Sequence, residues 1–178
     1  KYFGLTRNRE TVASGIPVRV DREVKVLLPA DLLAAFEHAI DQTGTLAYLD
    51  PDAEALDLVA DSKDMGPHLM LASIAAGGNV PAPSVAGERL RSPTEPEDCY
   101  AIRTTRDSGA GSTVVLASIG RHELIDGGDS WTVASSAFDR DSWHGAPVLA
   151  AADERVVGIL IVTDDLTLIA KIPESISQ

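Results

Sequence analysis

Apolar and polar residues alternate in short runs along most of the chain, and turn residues separate the runs. A period of two residues is typical of β-strands whose two faces meet different surroundings. The repeated short strands favour a β-barrel or β-sandwich over alternating strands and helices. This pattern predicts eleven strands, at residues 15–20, 22–28, 45–50, 54–61, 68–74, 99–105, 112–120, 130–135, 146–150, 155–162 and 166–172.

One segment in the first half, PADLLAAFEHAIDQTG at residues 29–44, has helical rather than strand spacing. Pro29 suits the first turn of a helix, and Gly44 suits its end. We therefore expect one short helix here. Its apolar stripe consists of Leu32, Leu33, Phe36, Ala39 and Ile40.

A stretch rich in Gly, Pro and Ser at residues 75–96 lies near the middle of the chain and lacks periodicity. Such composition is typical of a connection between structural units. The predicted organisation is therefore two β-barrels and their connection. We assign residues 1–14 to a juxtamembrane or linker segment, 15–78 to the first barrel, 79–98 to the inter-barrel connection and 99–178 to the second barrel.

The net charge argues against nucleic acid as a partner. Fifteen Lys and Arg stand against 27 Asp and Glu, so the formal charge is 15 − 27 = −12. This sign repels phosphate backbones and anionic lipids. The single cysteine, Cys99, excludes an internal disulfide, and we expect it to be a buried small apolar residue.

The sequence contains no run of about eighteen apolar residues, so it predicts no membrane-spanning segment within these residues. The chain nevertheless begins with a basic stretch that contains Lys1, Arg7 and Arg9. A basic stretch of this kind is typical of chain that follows a transmembrane helix or a signal segment. One interpretation is a membrane tether upstream of Lys1, and the other is a trimmed soluble protein.

Three segments carry candidate chemistry. They are LLAAFEHAI at 32–40, ADSKDMGPHLMLAS at 60–73, and the run from SWHGAPVLA to RVVGILIV at 142–162. In this order they resemble a trypsin-like serine protease domain of the HtrA type along nearly the whole chain. LIAKIP at 168–173 is similar to the "F-A-I-P" strand of that family.

The resemblance assigns a role to three histidines. The first segment resembles "T-x-A-H-V-V", which puts His38 at the catalytic histidine, and the second resembles "x-D-x-x-x-D-L-A-L-L", which puts His68 at the catalytic aspartate. The third resembles "G-N-S-G-G-P-L-V" followed by "V-V-G-I", which puts His144 at the nucleophile. The separations, 68 − 38 = 30 and 144 − 68 = 76 residues, are close to those of the family.

The resemblance implies an all-β fold, the chymotrypsin/trypsin-like double β-barrel, in which these three positions converge. Serine acylation needs a hydroxyl nucleophile, a base and a carboxylate that orients the base. Histidines at the nucleophile and carboxylate positions remove two of these groups. Ser142 replaces a glycine of the oxyanion loop, although Gly145, Ala146 and Pro147 remain. We therefore expect a pseudoprotease, for which enzymatic activity is uncertain. We expect it to bind a protein or an extended peptide by strand addition. The family resemblance also implies an extracytoplasmic location.

The same three positions suggest a second role, in metal binding. Three neutral imidazoles with an open fourth position are typical of a zinc-type site. His38, His68 and His144 are therefore candidate ligands for a divalent transition metal, unless they are simply polar residues on a barrel surface.

An active peptidase is one alternative. Asp141-Ser142 resembles the "D-S" of the protease motif if Trp143 and His144 are a two-residue insertion. Ser142 would then be the nucleophile. A nearby aspartate would have to orient the base, from Asp57, Asp61 or Asp64.

Two further alternatives are binding domains. Residues 147–166 resemble the strand–strand–helix core of a CBS module, which senses adenine nucleotides, although a second such motif is missing. The other is an all-β binding domain unrelated to proteases. Nucleotide-dependent thermal shifts would favour the first, and fluorophosphonate labelling of Ser142 would favour the active peptidase.

Overall fold

The computed structural model describes residues 3–7, 10–32, 46–49, 55–74, 89–107, 111–135 and 138–177. Thirteen strands and one short α-helix lie in these ranges. The strands are β1 (Phe3–Arg7), β2 (Glu10–Val20), β3 (Glu23–Pro29), β4 (Leu46–Leu49), β5 (Ala55–Asp64), β6 (Leu69–Ile74), β7 (Cys99–Asp107), β8 (Gly111–Ile119), β9 (Leu124–Asp126), β10 (Ser130–Val133), β11 (Pro147–Ala150), β12 (Val156–Val162) and β13 (Thr167–Lys171), and the helix α1 is Arg140–Trp143.

The first six strands form a closed barrel with the order β1-β2-β3-β6-β5-β4. All neighbouring strands are antiparallel. The end of strand β2 shows why the period of two was informative, because Val18 and Val20 are buried while Arg19 between them is exposed. In this part of the strand, alternate side chains face the core and the solvent.

The other seven strands form a curled sheet with the order β8-β7-β11-β12-β13-β10-β9. Its central strand, β12, is buried at every position, because both of its faces are covered. A bulge in β11 between Val148 and Leu149 shifts the register against β12. Among the described strands, β8 and β9 are the edges of this sheet.

A single core joins the two halves. Ile16 and Leu71 of the barrel share one buried cluster with Val156 and Ile159 of the sheet. Leu90 from the connecting segment lies in the same cluster and forms a parallel bridge with Val156. Burial of this shared apolar surface fixes the position of one half against the other.

All eleven predicted strands are confirmed within a few residues at their ends. Two strands were not predicted, namely β1 and the three-residue β9. Strand β1 also corrects the assignment of residues 1–14 to a linker, because it pairs with β2 and β4 and closes the barrel.

The predicted helix at 29–44 falls mostly on residues outside the described ranges. Its described part forms the end of β3 and then a short 3-10 turn, Ala30–Leu32. The CBS-like interpretation is wrong, because residues 167–171 continue the sheet as β13 where that module needs a helix.

Cys99 is buried, as predicted, and burial raises the pKa of its thiol to about 12. No helix in the described part of the chain is long and apolar enough to span a membrane.

Candidate functional site

The segment from Asp139 to Ala146 forms a compact loop beside strand β12. It begins with α1, whose cap is Asp139: the carboxylate oxygen Oδ1 accepts a hydrogen bond of 2.9 Å from the backbone N–H of Ser142. Asp is a favourable residue at this position because its oxygen satisfies a free N–H of the first turn. The loop then turns at Gly145, whose φ of 84° favours glycine.

The loop pairs with β12 almost as a strand would. The N–H of Gly145 donates to the carbonyl of Leu160 over 2.8 Å, and the N–H of Leu160 donates to the carbonyl of Ala146 over 2.8 Å. These two bonds fix the backbone directly after His144.

His144 is buried, with 1% of its surface exposed. Its Nδ1 accepts a hydrogen bond of 3.1 Å from the backbone N–H of Val162. The proton of the ring therefore lies on Nε2, which donates to the two carboxylate oxygens of Asp31 at 2.9 and 3.1 Å. Both ring nitrogens of His144 thus have partners.

Asp31 lies on the other half of the molecule, in the 3-10 turn that follows β3. Its Oδ2 also accepts a hydrogen bond of 2.6 Å from Nη2 of Arg140. Although burial raises the pKa of the Asp31 carboxyl, the hydrogen bonds from His144 and Arg140 and the charge of Arg140 outweigh that effect and lower the pKa from 3.8 to about 2. The carboxylate is therefore ionised at neutral pH.

Arg140 closes the network. Its Nη1 donates to the carbonyl of Val162 over 2.6 Å, while its Nη2 holds Asp31. Val162 at the end of β12 consequently has its N–H bonded to His144 and its carbonyl bonded to Arg140. We call Asp31, Arg140, His144 and Val162 the inter-barrel network.

The backbone N–H groups from Ser142 to Ala146 are all occupied. The five donors and their acceptors are Ser142 to Asp139 Oδ1, Trp143 to the Asp139 carbonyl, His144 to the Arg140 carbonyl, Gly145 to the Leu160 carbonyl and Ala146 to the Trp143 carbonyl. Pro147, next along the chain, has no N–H. An oxyanion hole requires donors that point at the substrate oxygen, and each of these donors points at a protein acceptor.

Aromatic packing covers the side of α1. The rings of Phe138 and Trp143 meet edge to face, with centroids 5.2 Å apart. The guanidinium carbon of Arg103 lies 4.8 Å from the centroid of the Trp143 ring. Trp143 is buried by these contacts, so it is a packing residue.

The three predicted histidines differ in how the structure describes them. His38 lies outside the described residues. His68 is partly buried, and its carbonyl accepts a hydrogen bond of 2.7 Å from the N–H of Ala30, so its backbone lies next to the turn that carries Asp31. No side-chain hydrogen bond joins His68 to the inter-barrel network among the described residues.

The sequence pattern predicted neither Asp31 nor Arg140 as a residue of this site. LLPAD at 27–31 forms the end of β3 and the turn that carries Asp31. The resemblance of LLAAFEHAI at 32–40 to a family segment assigned a role to His38, seven positions further along the chain, and not to Asp31.

The structure gives no support to the predicted metal site. The described residues contain no group of three or more His, Cys, Asp or Glu side chains that could hold a metal ion. In addition, the Nδ1 lone pair of His144 is used by Val162, and its Nε2 carries the proton. The part of the prediction that concerns His38 stays a prediction.

A cavity of about 590 Å³ opens beside His68. Four segments line it: the β5–β6 connection at 65–69, the inter-barrel connection at 92–94, the β9–β10 turn at 126–129 and the end of β13 at 170–174. Both halves of the molecule therefore contribute to this space.

No protein-family model matches the chain, and no curated protein matches it significantly. Several solved structures share its fold. The apo form of the MamO protease domain from Magnetospirillum magneticum has a TM-score of 0.57 at 12% identity, over 96% of this chain and 90% of that one. Catalytically inactive tobacco etch virus protease complexed with substrate has a TM-score of 0.65 at 14% identity, over 98% and 79%.

Kallikrein-related peptidase 10 has a TM-score of 0.59 at 17% identity, over 96% of this chain and 89% of that one. Together these likenesses confirm the predicted fold: the chain is an all-β protein with the chymotrypsin/trypsin-like double-barrel architecture. At identities this low, the likeness concerns the fold alone.

Proposed function

We propose that this chain is a catalytically inactive domain of the trypsin-like protease fold, and that it binds a segment of another protein in an extended conformation. The observation that carries the first half of the proposal is the hydrogen bonding of the loop at 142–146. Each backbone N–H there already has an acceptor within the protein. A tetrahedral intermediate would find no donor in this loop to stabilise its oxyanion.

The side chains support the same conclusion. His144 occupies the position that the resemblance gives to the nucleophile, and its imidazole is buried with both ring nitrogens bonded. A buried ring in this state is not accessible to a peptide carbonyl, and it cannot accept a proton from a neighbouring hydroxyl. The inter-barrel network therefore acts as a structural link.

The described residues provide no base for the Ser142 alternative. Ser142 lies inside α1, where its N–H bonds to the capping residue Asp139. Among the described residues, no histidine is hydrogen-bonded to its hydroxyl. Because a serine nucleophile needs a base within hydrogen-bonding distance, this geometry disfavours an active peptidase.

The edges of the curled sheet support binding of an extended peptide. Strands β8 and β9 have no outer neighbour among the described strands. They expose large apolar side chains, with Val114, Leu116 and Ile125 between 57% and 62% exposed. Unpaired edges accept an added strand through backbone hydrogen bonds. Tobacco etch virus protease, which has this fold, has been solved with its substrate bound.

Activity-based labelling tests the proposal directly. The protein and its His144→Ser variant are treated with a fluorophosphonate probe and are separately incubated with a fluorogenic peptide mixture. We expect neither labelling nor hydrolysis, even with serine restored, because the oxyanion donors remain occupied. A matched control is His122→Ser, which changes an exposed histidine. Labelling that mass spectrometry assigns to Ser142 would instead support the active peptidase.

A further inference from the structure

The cavity beside His68 has the size and position of a ligand site. Its volume of about 590 Å³ lies within the range of roughly 300–1,000 Å³ that is typical of ligand pockets. Such pockets often lie where two structural units meet, as this one does. Strand β9, an edge of the sheet, ends at Asp126 on its rim, so a peptide paired with that edge would extend toward the cavity.

The apolar part of the lining is rigid. Three prolines, Pro67, Pro93 and Pro173, come from three different segments and face the cavity together with Met65. Pro93 and Met65 are buried. Because proline has a fixed φ, these segments lose little conformational freedom when a ligand is bound. The walls are suited to the aliphatic part of a side chain.

The lysine that lines the cavity is already neutralised. Nζ of Lys171 donates to Asp126 Oδ1 over 2.8 Å and to the carbonyl of Gly128 over 2.6 Å, and it lies 5.6 Å from the centroid of the Trp131 ring. Three contacts hold this ammonium group in place. It is therefore not available to bind an anionic ligand.

Two carboxylates of the lining have no such partner. Asp129 and Glu174 are exposed, and neither side chain forms a hydrogen bond or ion pair with the described residues. Once the pair of Lys171 and Asp126 cancels, these two groups leave the cavity with negative charge. The chain as a whole has a net charge of −12, which adds attraction for a cation.

We propose that this cavity binds a short extended segment of a partner protein through a Lys or Arg side chain. The aliphatic stem lies against the proline wall, and the cationic head binds Asp129 and Glu174. Lys and Arg combine these two parts in one side chain. This inference rests on the proposed function, because it names the partner chemistry of a domain that acts by binding.

The experiment is fluorescence polarisation with a library of capped, labelled tetrapeptides. Each peptide has Lys, Arg, Gln or Glu at one position and Ala or Pro elsewhere, so the termini add no charge. The variants are Asp129→Asn with Glu174→Gln, which removes both carboxylates, and Thr94→Trp, which fills the space from an exposed lining position. The matched control is Asp164→Asn with Asp165→Asn, two exposed carboxylates of the β12–β13 turn.

We expect Lys and Arg peptides to bind more tightly than their Gln and Glu counterparts. Asp129→Asn with Glu174→Gln should weaken this binding about tenfold, which is the size expected for the loss of two partly solvated ion pairs. Thr94→Trp removes the binding, while the control double variant leaves it unchanged. Thermal unfolding of each variant confirms that it is folded.

The other outcomes separate the two proposals. If peptides bind but the cavity variants bind them as the wild type does, the cavity is not the site, and the proposed function stands. If Glu or Gln peptides are preferred, the inferred partner chemistry is wrong. If no peptide of the library binds, both the inference and the peptide-binding function are rejected.

Discussion

Replacement of His144 by serine would put a hydroxyl at the position that the resemblance gives to the nucleophile, and the structure predicts that it mainly destabilises the protein. The serine side chain is too short to reach Asp31 on the other half of the molecule. The buried N–H of Val162 would lose its acceptor. An unsatisfied buried donor costs about 1–3 kcal/mol.

The rest of the expected loss in unfolding free energy comes from packing and from Asp31. The space left by the imidazole adds roughly 1 kcal/mol, as a partly relaxed cavity does. The loss at Asp31 is small, because 43% of that side chain is exposed and Arg140 still holds it. The expected sum is about 3 kcal/mol, which lowers the melting temperature of a chain of this length by about 6–12 °C.

The assay is urea unfolding at pH 7, followed by the fluorescence of Trp131 and Trp143, which are both buried. The control is His122→Ser, since an exposed histidine should change the unfolding free energy by less than about 0.5 kcal/mol. Equal midpoints for the two variants would refute the structural role given to His144. Hydrolysis by His144→Ser would refute the argument from the occupied donors.

Three other predictions concern acid stability, packing and thiol reactivity. The pKa of the Asp31 carboxyl is lowered from 3.8 to about 2, so its ionised form adds stability that is present above pH 3.8 and is lost as the pH falls toward 2. Urea midpoints measured from pH 6 to pH 2 should show this loss, which is below about 1 kcal/mol because the Asp31 side chain is partly exposed. The Asp31→Asn variant should not show it. A Cβ on Gly158 would lie 2.6 Å from the backbone oxygen of Ala170, so Gly158→Ala should destabilise the protein by about 1–3 kcal/mol in the same assay. The control is Gly127→Ala, where the atom nearest to the new Cβ is 3.3 Å away. A loss of similar size in the control would contradict the packing argument. The thiol of Cys99, with its pKa raised by burial to about 12, should react with a disulfide reagent at pH 8 only after unfolding, and fast reaction of the native protein would show that it is accessible.

Strands with a clear period of two were predictable from the sequence. At the end of β2, buried Val18, exposed Arg19 and buried Val20 alternate as their residue types predict. The two missed strands lack that signal, since β9 has only three residues and β1 has only the five residues FGLTR, with few apolar positions. Their strand conformation depends on pairing with neighbours, which a local pattern does not contain.

The candidate site was only half predictable. The resemblance assigned His144 to the nucleophile position, which stays a prediction, and the structure describes the loop around His144 as a tight turn beside β12. Its partner Asp31 is 113 residues away. No local pattern links two positions so far apart, and the resemblance of LLAAFEHAI at 32–40 to a family segment pointed to His38 instead.

The sequence by itself determined the all-β class and the order of most strands along the chain, because these depend on residue type and local period. Only the tertiary structure decided what His144 does. Its two ring nitrogens are bonded because β12 presents an N–H on one side and the first barrel presents Asp31 on the other. The cavity also depends on the tertiary structure, because the four segments that line it are distant in the sequence and enclose a space only when they are packed together.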